Sequence, residues 1–343
     1  SPSPTYPYPV SHCGLCGYAE TCAQQWADDD HLCRVARITR SQVERLEDHG
    51  LRTMHALAEP ASECPDGMSP GVFGRLKGQA ALQDAVSRDG SHRYELLTPD
   101  GATGFSLLPL PSAGDVFFDM EGYPYFEGMQ GLEYLFGLMT VDQGSPVFHH
   151  WSALTRADER LAFEAFVDFV RQRRAIWPDL HVYHYAAYEK TALRHLAARH
   201  GTREQEVEEL LAAEVLVDLY DVVRHALQIS HDSYSIKKVR TFFMQAEVGT
   251  VSDGGQSIVA FEEFLDTREP AQLQAIIDYN AEDCRSTVLL HQWLLARRQE
   301  ADSRWPGTVT WRRAPEMTVG EERQAEERLR NDVTARLTRL DRP

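Results

Sequence analysis

The sequence predicts an α/β protein whose mixed sheet is flanked by helices and preceded by a small cysteine-metal module and a helical segment. Four of the six cysteines lie within the first 33 residues, helical patterns follow, and apolar strand-like runs alternate with amphipathic runs after residue 100. Hydrophobic residues make up 43% of the 343-residue chain, which is enough to build a core and excludes wholesale disorder. We therefore expect four parts, residues 1–36, 37–100, 101–300 and 301–343.

The charge of the chain narrows its possible classes of function. The net charge is −17, and residues 111–300 carry most of the excess acid. This charge excludes a protein that binds nucleic acid through a uniformly cationic surface, but it allows an enzyme that concentrates carboxylates around metal cations. The sequence has no apolar run near the roughly 20 residues of a membrane helix, and its amino end does not resemble a signal peptide. We expect a cytoplasmic protein with no membrane partner.

The first part of the chain contains a cysteine cluster. Cys13, Cys16, Cys22 and Cys33 offer four soft ligands within a short segment. Clustered cysteines without a secretion signal favour a metal site over a disulfide scaffold. One Zn²⁺ is the expected ion, and a 4Fe-4S cluster is the alternative. Whether Cys33 is a ligand stays open, and four unligated thiols are the structural alternative.

Residues 37–59 predict two short helices hinged at Gly50. Ser41 is the expected N-cap of the first helix, with Glu44 completing a capping box, and the second helix is expected from Thr53. The pair resembles a helix-hairpin-helix unit, whose backbone amides near Gly50 would contact a phosphate. A small helical packing unit is the alternative.

The remaining elements follow from periodicity and composition. The strand candidates alternate poorly between apolar and polar residues, as strands covered on both faces do. The helix candidates repeat apolar residues at helical spacing. Strands are expected at 116–120, 133–141, 146–152 and 180–186, and helices at 73–87, 156–174, 188–201, 216–227, 233–243, 271–298 and 318–340.

Two motifs place carboxylates where a divalent cation can bind. Asp119 and Glu121 are two residues apart in an expected strand, so both side chains share one face. Tyr279 and Asp283 are one helical turn apart in an expected helix. Carboxylates at the end of a buried strand are costly unless something pairs them, and hard oxygen ligands favour Mg²⁺ or Mn²⁺. A solvated strand end and an exposed helix turn are the structural alternatives.

A third motif supplies Glu189, which opens the helix after the strand ending near Tyr185. A carboxylate at this place can reach the first pair. His181 and His184 are competing candidates, with a packing role as the alternative for each. Asp218 follows another apolar stretch, and we interpret it as structural.

Several stretches of the chain resemble one nuclease family. They are GDVFFDMEG, EYLFGL, HVYHYAAYEK, VDLYDVVR, SYSIKKV and YNAEDC. Over residues 112–298 they resemble the DEDD exonuclease superfamily, in its tyrosine-containing branch and in particular its YprB-type ribonuclease-H-like domain. The resemblance implies a ribonuclease-H-like sheet and 3′→5′ exonuclease activity. It also implies metal ligands at Asp119, Glu121, Asp283 and Glu189, the last where the family usually has aspartate, and a water-orienting role for Tyr279.

The implied mechanism uses two Mg²⁺ or Mn²⁺ ions. One ion would lower the pKa of the attacking water, and the other would stabilise the leaving 3′ oxygen. Lys237, Lys238 and Arg240 are the candidate phosphate-binding residues, with a solvated helix face as the alternative. A non-catalytic module that binds nucleic acid or a partner is the alternative function.

The cysteine segment carries a second resemblance. The stretch YPYPVSHCGLCGYAETC resembles the cysteine end of RecB-like nucleases that carry an iron–sulfur cluster. This implies a larger parent protein in which a RecB-like nuclease precedes the chain and a helicase follows it. Such a protein would suit DNA repair or nucleic-acid processing on single-stranded DNA or RNA, and the choice between the two polymers stays open.

Overall fold

The computed structural model describes residues 6–244 and 254–313. Seven strands occur in this part of the chain, and they form a five-stranded and a two-stranded sheet. The strands are β1 (Tyr94–Leu96), β2 (Val116–Tyr123), β3 (Leu132–Asp142), β4 (Ser145–Ser152), β5 (Val182–His184), β6 (Leu216–Asp218) and β7 (Leu227–Ile229).

Helices surround these strands. The α-helices are α1 (Ala19–Asp28), α2 (Arg40–Asp48), α3 (Met54–Ala58), α4 (Pro70–Asp89), α5 (Phe126–Met129), α6 (Arg156–Ile176), α7 (Tyr188–His200), α8 (Glu204–Ala212), α9 (Leu219–Ala226), α10 (Ile236–Val239), α11 (Gly254–Thr267) and α12 (Pro270–Arg304). Short 3₁₀ helices cover Ser11–Leu15, Leu32–Arg34, Gly104–Leu107 and Arg240–Phe242. The described residues include no helix that is both long and apolar enough to cross a membrane.

The large sheet is mixed and has the strand order β4-β3-β2-β5-β6. The central strand β2 pairs antiparallel with β3 and parallel with β5, and β5 pairs parallel with β6. The carboxyl ends of β2, β5 and β6 therefore meet at one edge of the sheet. This mixed sheet with flanking helices confirms the predicted fold class.

The central strand is buried on both faces, as its poor alternation predicts. Phe118 and its neighbours two residues away pack with α6 and α7 on one face. Phe117 packs on the opposite face with Tyr183 and with Leu290 of α12. Because side chains alternate along a strand, Asp119 lies on the same face as Phe117, toward α12.

The amino-terminal helical segment has its own small core and contacts the rest of the chain. Leu46, Leu57 and Phe73 are among the buried residues of this core. Gln79 of α4 donates a hydrogen bond to the carbonyl oxygen of Ile229 (2.7 Å), and β1 pairs antiparallel with β7. The division of the chain into parts at residues 36, 100 and 300 stays a prediction.

Three secondary-structure expectations need correction. Thr39, not Ser41, caps α2, because Thr39 has an extended backbone and exchanges hydrogen bonds with Gln42 in a capping box. Residues 216–218, expected to be helical, form β6, because they pair with β5 before Asp218 caps α9. Residues 233–243 form only the short α10 and a 3₁₀ turn.

Other expected elements agree with the structure or lie outside it. Thr53 caps α3 as expected. The helix expected from 271 to 298 is longer in the structure, since α12 spans Pro270–Arg304. The helices α8 and α11 have no counterpart among the predicted elements. The helix expected at 318–340 lies outside the described residues.

Candidate metal centre

Three carboxylates from two elements meet at the carboxyl end of β2. Asp119 and Glu121 come from β2, and Asp283 comes from α12, which packs across that face of the sheet. One oxygen of each carboxylate lies within 4.8 Å of the others. In residues 6–244 and 254–313, no other group of three or more histidine, cysteine, aspartate or glutamate side chains is placed in this way. The two sequence motifs thus form one site.

Burial raises the pKa values of all three carboxylates, and the charge of a neighbouring carboxylate raises two of them further. Burial is the largest cause for all three, and the charge of Asp283 adds to it for Asp119 and Glu121. The pKa of Asp119 lies well above its usual range, although the side chain keeps some exposed surface, because dense protein surrounds its carboxylate. The pKa of Glu121 rises to about 7. A bound cation would relieve this repulsion.

The donor set fits a hard divalent cation. Carboxylate oxygens are the ligands that Mg²⁺ and Mn²⁺ prefer. Asp283 Oδ1 is buried and accepts no hydrogen bond from the described residues, so this oxygen can serve a cation. A metal ion is therefore consistent both with the ligand chemistry and with the electrostatics of the site.

Two neutral donors hold the strand carboxylates in place. Asn280 Nδ2 donates to Asp119 Oδ2 (2.8 Å), and Ser257 Oγ donates to Glu121 Oε2 (2.8 Å). Both donor side chains are fully buried. The sequence alone predicts neither of these two contacts. Ser257 lies in α11, which is not predicted, and Asn280 is uncharged and so does not stand out as a candidate site residue. The one sequence feature that points to Asn280 is its position as a polar residue between Tyr279 and Asp283.

Glu189 lies near the three carboxylates but does not join their group. Its side chain is buried, and its Oε2 is 3.2 Å from Nδ1 of the fully buried His184. Its charge is one of the causes that raise the pKa of Asp119. His181 pairs instead with Asp115 (Nδ1–Oδ1, 3.1 Å), where β2 and β5 begin, at the opposite edge of the sheet. The metal-ligating role of Glu189 stays a prediction.

Tyr279 is placed beside the site as its motif predicts. Burial raises the pKa of its hydroxyl well above the usual range, and the charge of Asp283 raises it further. A hydrogen bond with Tyr279 in turn lowers the pKa of Asp283. The hydroxyl therefore stays protonated at neutral pH and can orient a water molecule at the carboxylates.

Two of the three candidate phosphate-binding cations lie near the carboxylates. The charges of Lys237 and Arg240 both lower the pKa of Asp283, and Lys237 also lowers that of Glu121. Lys238 is exposed and pairs instead with Asp232 (Nζ–Oδ1, 3.5 Å). The local positive charge therefore comes from Lys237 and Arg240.

Asp218 has the structural role that we expected from its sequence context. Its Oδ1 accepts hydrogen bonds from the backbone N–H groups of Ala186 (2.8 Å) and Tyr220 (2.9 Å). It thereby caps α9 and ties the loop after β5 to β6. These two hydrogen bonds account for the position of the Asp218 side chain without a catalytic role.

The structure does not bring three of the amino-terminal cysteines together. All six cysteines of the chain are free, and no group of potential metal ligands among the described residues includes one. Burial raises the pKa of the Cys33 thiol to about 11. Cys284 lies fully buried beside the carboxylates, and burial followed by the charge of Asp119 raises its pKa. A soft-metal site at the four amino-terminal cysteines stays a prediction.

The mixed sheet and its carboxylate cluster define a ribonuclease-H-like domain with a candidate metal centre. A family model, RNase_H_2 of the RNase_H superfamily, matches residues 116–295, more than half of the chain. The chain therefore belongs to the RNase H superfamily. The matched region begins with β2 and ends within α12, so it contains all three carboxylates. Searches of curated proteins and of solved structures found no match.

Proposed function

We propose that this chain is a metal-dependent 3′→5′ exonuclease that hydrolyses phosphodiester bonds of single-stranded DNA or RNA. The approach of Asp119, Glu121 and Asp283 to within 4.8 Å carries the proposal, together with membership of the RNase H superfamily. The assignment to the DEDD tyrosine branch and the 3′→5′ polarity are supported by the sequence resemblance, including the position of Tyr279.

The proposed roles follow from where the side chains lie. Asp119, Glu121 and Asp283 would hold two Mg²⁺ or Mn²⁺ ions, with Glu189 as the additional ligand. The chemistry supplied by such ions is activation of water and neutralisation of charge on the phosphate.

Tyr279 and the nearby cations would act on water and substrate. Because its pKa is raised, the Tyr279 hydroxyl stays protonated and aligns the attacking water by hydrogen bonding. Lys237 and Arg240 would bind phosphate oxygens of the strand, since charge-assisted contacts to phosphate position a nucleic acid without reading its sequence. Lys238, which points to Asp232, would contribute to binding only at longer range.

Digestion of 5′-labelled single strands tests both activity and polarity. With Mg²⁺ or Mn²⁺, the chain is expected to give a ladder that shortens from the 3′ end on DNA, RNA or both, and a chelator should stop the reaction. The Asp119→Asn protein, purified in the same way, controls for contaminating nuclease. If neither polymer is cut with either metal, the proposal is wrong and the binding module is favoured.

The Tyr279→Phe protein is expected to cleave about 10²-fold more slowly, the lower end of the contribution of a positioned proton-transfer group. It should still bind Mn²⁺, because the hydroxyl is not a metal ligand, but its affinity should fall because the hydrogen bond to Asp283 is lost. Single-turnover rates and Mn²⁺ titration separate the two effects. Tyr125→Phe, which removes the hydroxyl of an exposed tyrosine, is the matched control. Unchanged turnover of the Tyr279 variant would remove this residue from the mechanism.

A soft-metal site at Cys13, Cys16, Cys22 and Cys33 is a separate proposal, supported by their spacing. We expect elemental analysis to find one zinc per chain, or iron with sulfide if the RecB-like resemblance holds. The Cys16→Ser protein should lose this metal and the Cys64→Ser protein should keep it. A purified chain with neither metal and with four freely titrating thiols would contradict the proposal.

The proposed biological context is DNA repair or nucleic-acid processing. It is supported by the resemblance of the cysteine segment to RecB-like nucleases. In that context the parent protein would also carry a RecB-like nuclease and a helicase.

A further inference from the structure

We propose that Asn280 is a positioning residue that orients the carboxylate of Asp119 for metal binding, and that Gly137 is required because it leaves room for this amide. The inference rests on the metal-binding part of the proposed function, and it does not depend on the substrate or on the polarity of cleavage.

Only one of the two polar groups of the Asn280 side chain has a hydrogen-bond partner among the described residues. It is fully buried in α12, and its Nδ2 donates to Asp119 Oδ2 (2.8 Å). Its Oδ1 is also buried but has no hydrogen-bond partner among the described residues. Buried amide groups are normally satisfied on both sides, so a half-satisfied one needs an explanation. Holding Asp119 provides that explanation.

The neighbouring strand is shaped around this amide. Gly137 of β3 lies directly opposite Asp119 in the antiparallel register. A Cβ atom on Gly137 would overlap Asn280 Oδ1 and lie 2.7 Å from Asn280 Cγ. Gly137 does not have a positive φ, so its backbone conformation does not require glycine. Glycine within a strand often marks a close approach, and here the approaching group is the Asn280 side chain.

The contact fixes the orientation of one carboxylate at the metal centre. A neutral N–H donor on Oδ2 restrains rotation of the Asp119 carboxylate and leaves its other oxygen free of this bond. The same hydrogen bond favours the ionised carboxylate, which is the form that binds a cation, and it opposes the effect of burial. Groups that orient metal ligands from behind typically change metal affinity by about 10- to 100-fold when they are lost.

Calorimetric titration of the full chain with Mn²⁺, without substrate, tests the inference. Asn280→Leu keeps the branching and the number of heavy atoms of the side chain but removes the donor and the unsatisfied oxygen. We expect it to weaken Mn²⁺ binding by about 10- to 100-fold. The metal-free variant should melt at the same temperature as the wild type or higher, whereas a merely structural asparagine would lower the melting temperature and leave the affinity unchanged.

A double-mutant cycle tests the role of Gly137. Gly137→Ala removes no functional group, yet it should weaken Mn²⁺ binding to a similar extent because the new methyl group displaces the amide. On an Asn280→Ala background the methyl group has space, so adding Gly137→Ala should cause little further loss. Gly74→Ala is the matched control, since Gly74 is exposed on α4 and an added Cβ there meets no atom within 4 Å.

The outcomes decide between the alternatives. Wild-type affinity in Asn280→Leu, or losses that add in the double variant, would overturn the inference. A wild-type chain that binds no Mn²⁺ would overturn it together with the proposed metal centre. A chain that binds Mn²⁺ with the expected variant pattern, but cuts neither DNA nor RNA, would support the inference and contradict only the proposed nuclease activity.

Discussion

The Asp119→Asn protein is expected to lose divalent-cation binding and cleavage together while it keeps its fold. The substitution removes a charged ligand with little change of shape, from the strand that supplies two of the three clustered carboxylates. Because loss of a group behind a metal ligand already costs about 10- to 100-fold, we expect at least about a 10²-fold loss of Mn²⁺ affinity. Mn²⁺ titration and single-strand digestion measure the two effects.

The same substitution should stabilise the metal-free protein at high pH. In the folded chain, burial and then the charges of Asp283 and Glu121 raise the pKa of Asp119 above its unfolded value. The folded state therefore holds this proton more tightly, and the wild type loses stability as the pH rises above the unfolded pKa. Asparagine does not ionise, so the variant escapes this loss.

Melting curves recorded in a chelator test whether the variant becomes more stable than the wild type as the pH rises. The difference in melting temperature between the Asp119→Asn protein and the wild type should grow in favour of the variant as the pH rises above the ordinary aspartate pKa of about 4. Asp232→Asn, at an exposed position, is the control and should show no such trend. A variant that is destabilised across the whole range would assign Asp119 to the structure of the domain and not to a metal centre.

The sequence predicts the strand and helix carboxylates because they depend on short-range geometry. A spacing of two residues places Asp119 and Glu121 on one face of any strand. The segment around Asp283 has no glycine or proline from 271 to 304, which predicts a long helix, and the family resemblance implies that this helix lies on the sheet. The structure confirms that these three carboxylates meet.

The supporting contacts depend on long-range packing, which short-range patterns do not encode. Asn280 reaches Asp119 only because β3 has a glycine at residue 137, and nothing near residue 280 in the sequence reports this. Ser257 reaches Glu121 from α11, and the glycines at the start of this helix, Gly254 and Gly255, are typical of a loop. The strand β6 is hidden because its three residues, Leu216, Val217 and Asp218, are too few to show a period of two before the helix begins.

In the cysteine segment, the sequence predicts a metal site that the structure does not assemble. Spacing predicts a site, but Cys13 lies in a 3₁₀ helix and Cys22 in α1, and among the described residues no three of the cysteines lie within ligand distance of one another. Binding a metal with all four thiolates would require this segment to rearrange. Such coupling is typical of small modules whose metal-binding energy is also folding energy.

A second large effect is expected at Glu159, a buried carboxylate outside the metal centre. Its side chain is fully buried in α6 and lies at the centre of a charged network. Its oxygens contact the Glu133 backbone nitrogen (2.7 Å), Arg156 Nη1 (2.9 Å), Arg199 Nη1 (3.1 Å) and His200 Nε2 (2.8 Å). Arg199 also donates to the carbonyl oxygen of Gln130 (2.8 Å), so the network ties α6 and α7 to the connection between β2 and β3.

The electrostatics of Glu159 show that it is charged in the folded protein. Burial alone would raise its pKa, but the hydrogen bonds from the Glu133 backbone and Arg156, together with the charges of Arg199 and Arg156, outweigh burial and hold the pKa below its usual value. For an acid with a lowered folded pKa, the stabilisation is present above the unfolded pKa and is lost as the pH falls through the folded value. The stabilisation is therefore complete at neutral pH.

Glu159→Ala is expected to lower the free energy of unfolding by about 3–5 kcal/mol, because it leaves Arg156 and Arg199 next to a cavity without their shared partner. Urea denaturation at neutral pH measures the change. Glu208→Ala is the matched control, since Glu208 pairs with Arg194 at the surface (3.2 Å), where such pairs contribute about 0–1 kcal/mol. If the Glu159 variant lost no more stability than the Glu208 variant, the network would not hold α6 and α7 to the strand connection. In that case other contacts, such as the hydrogen bond from Tyr188 Oη to Glu133 Oε1 (2.8 Å), would have to position the connection between β2 and β3.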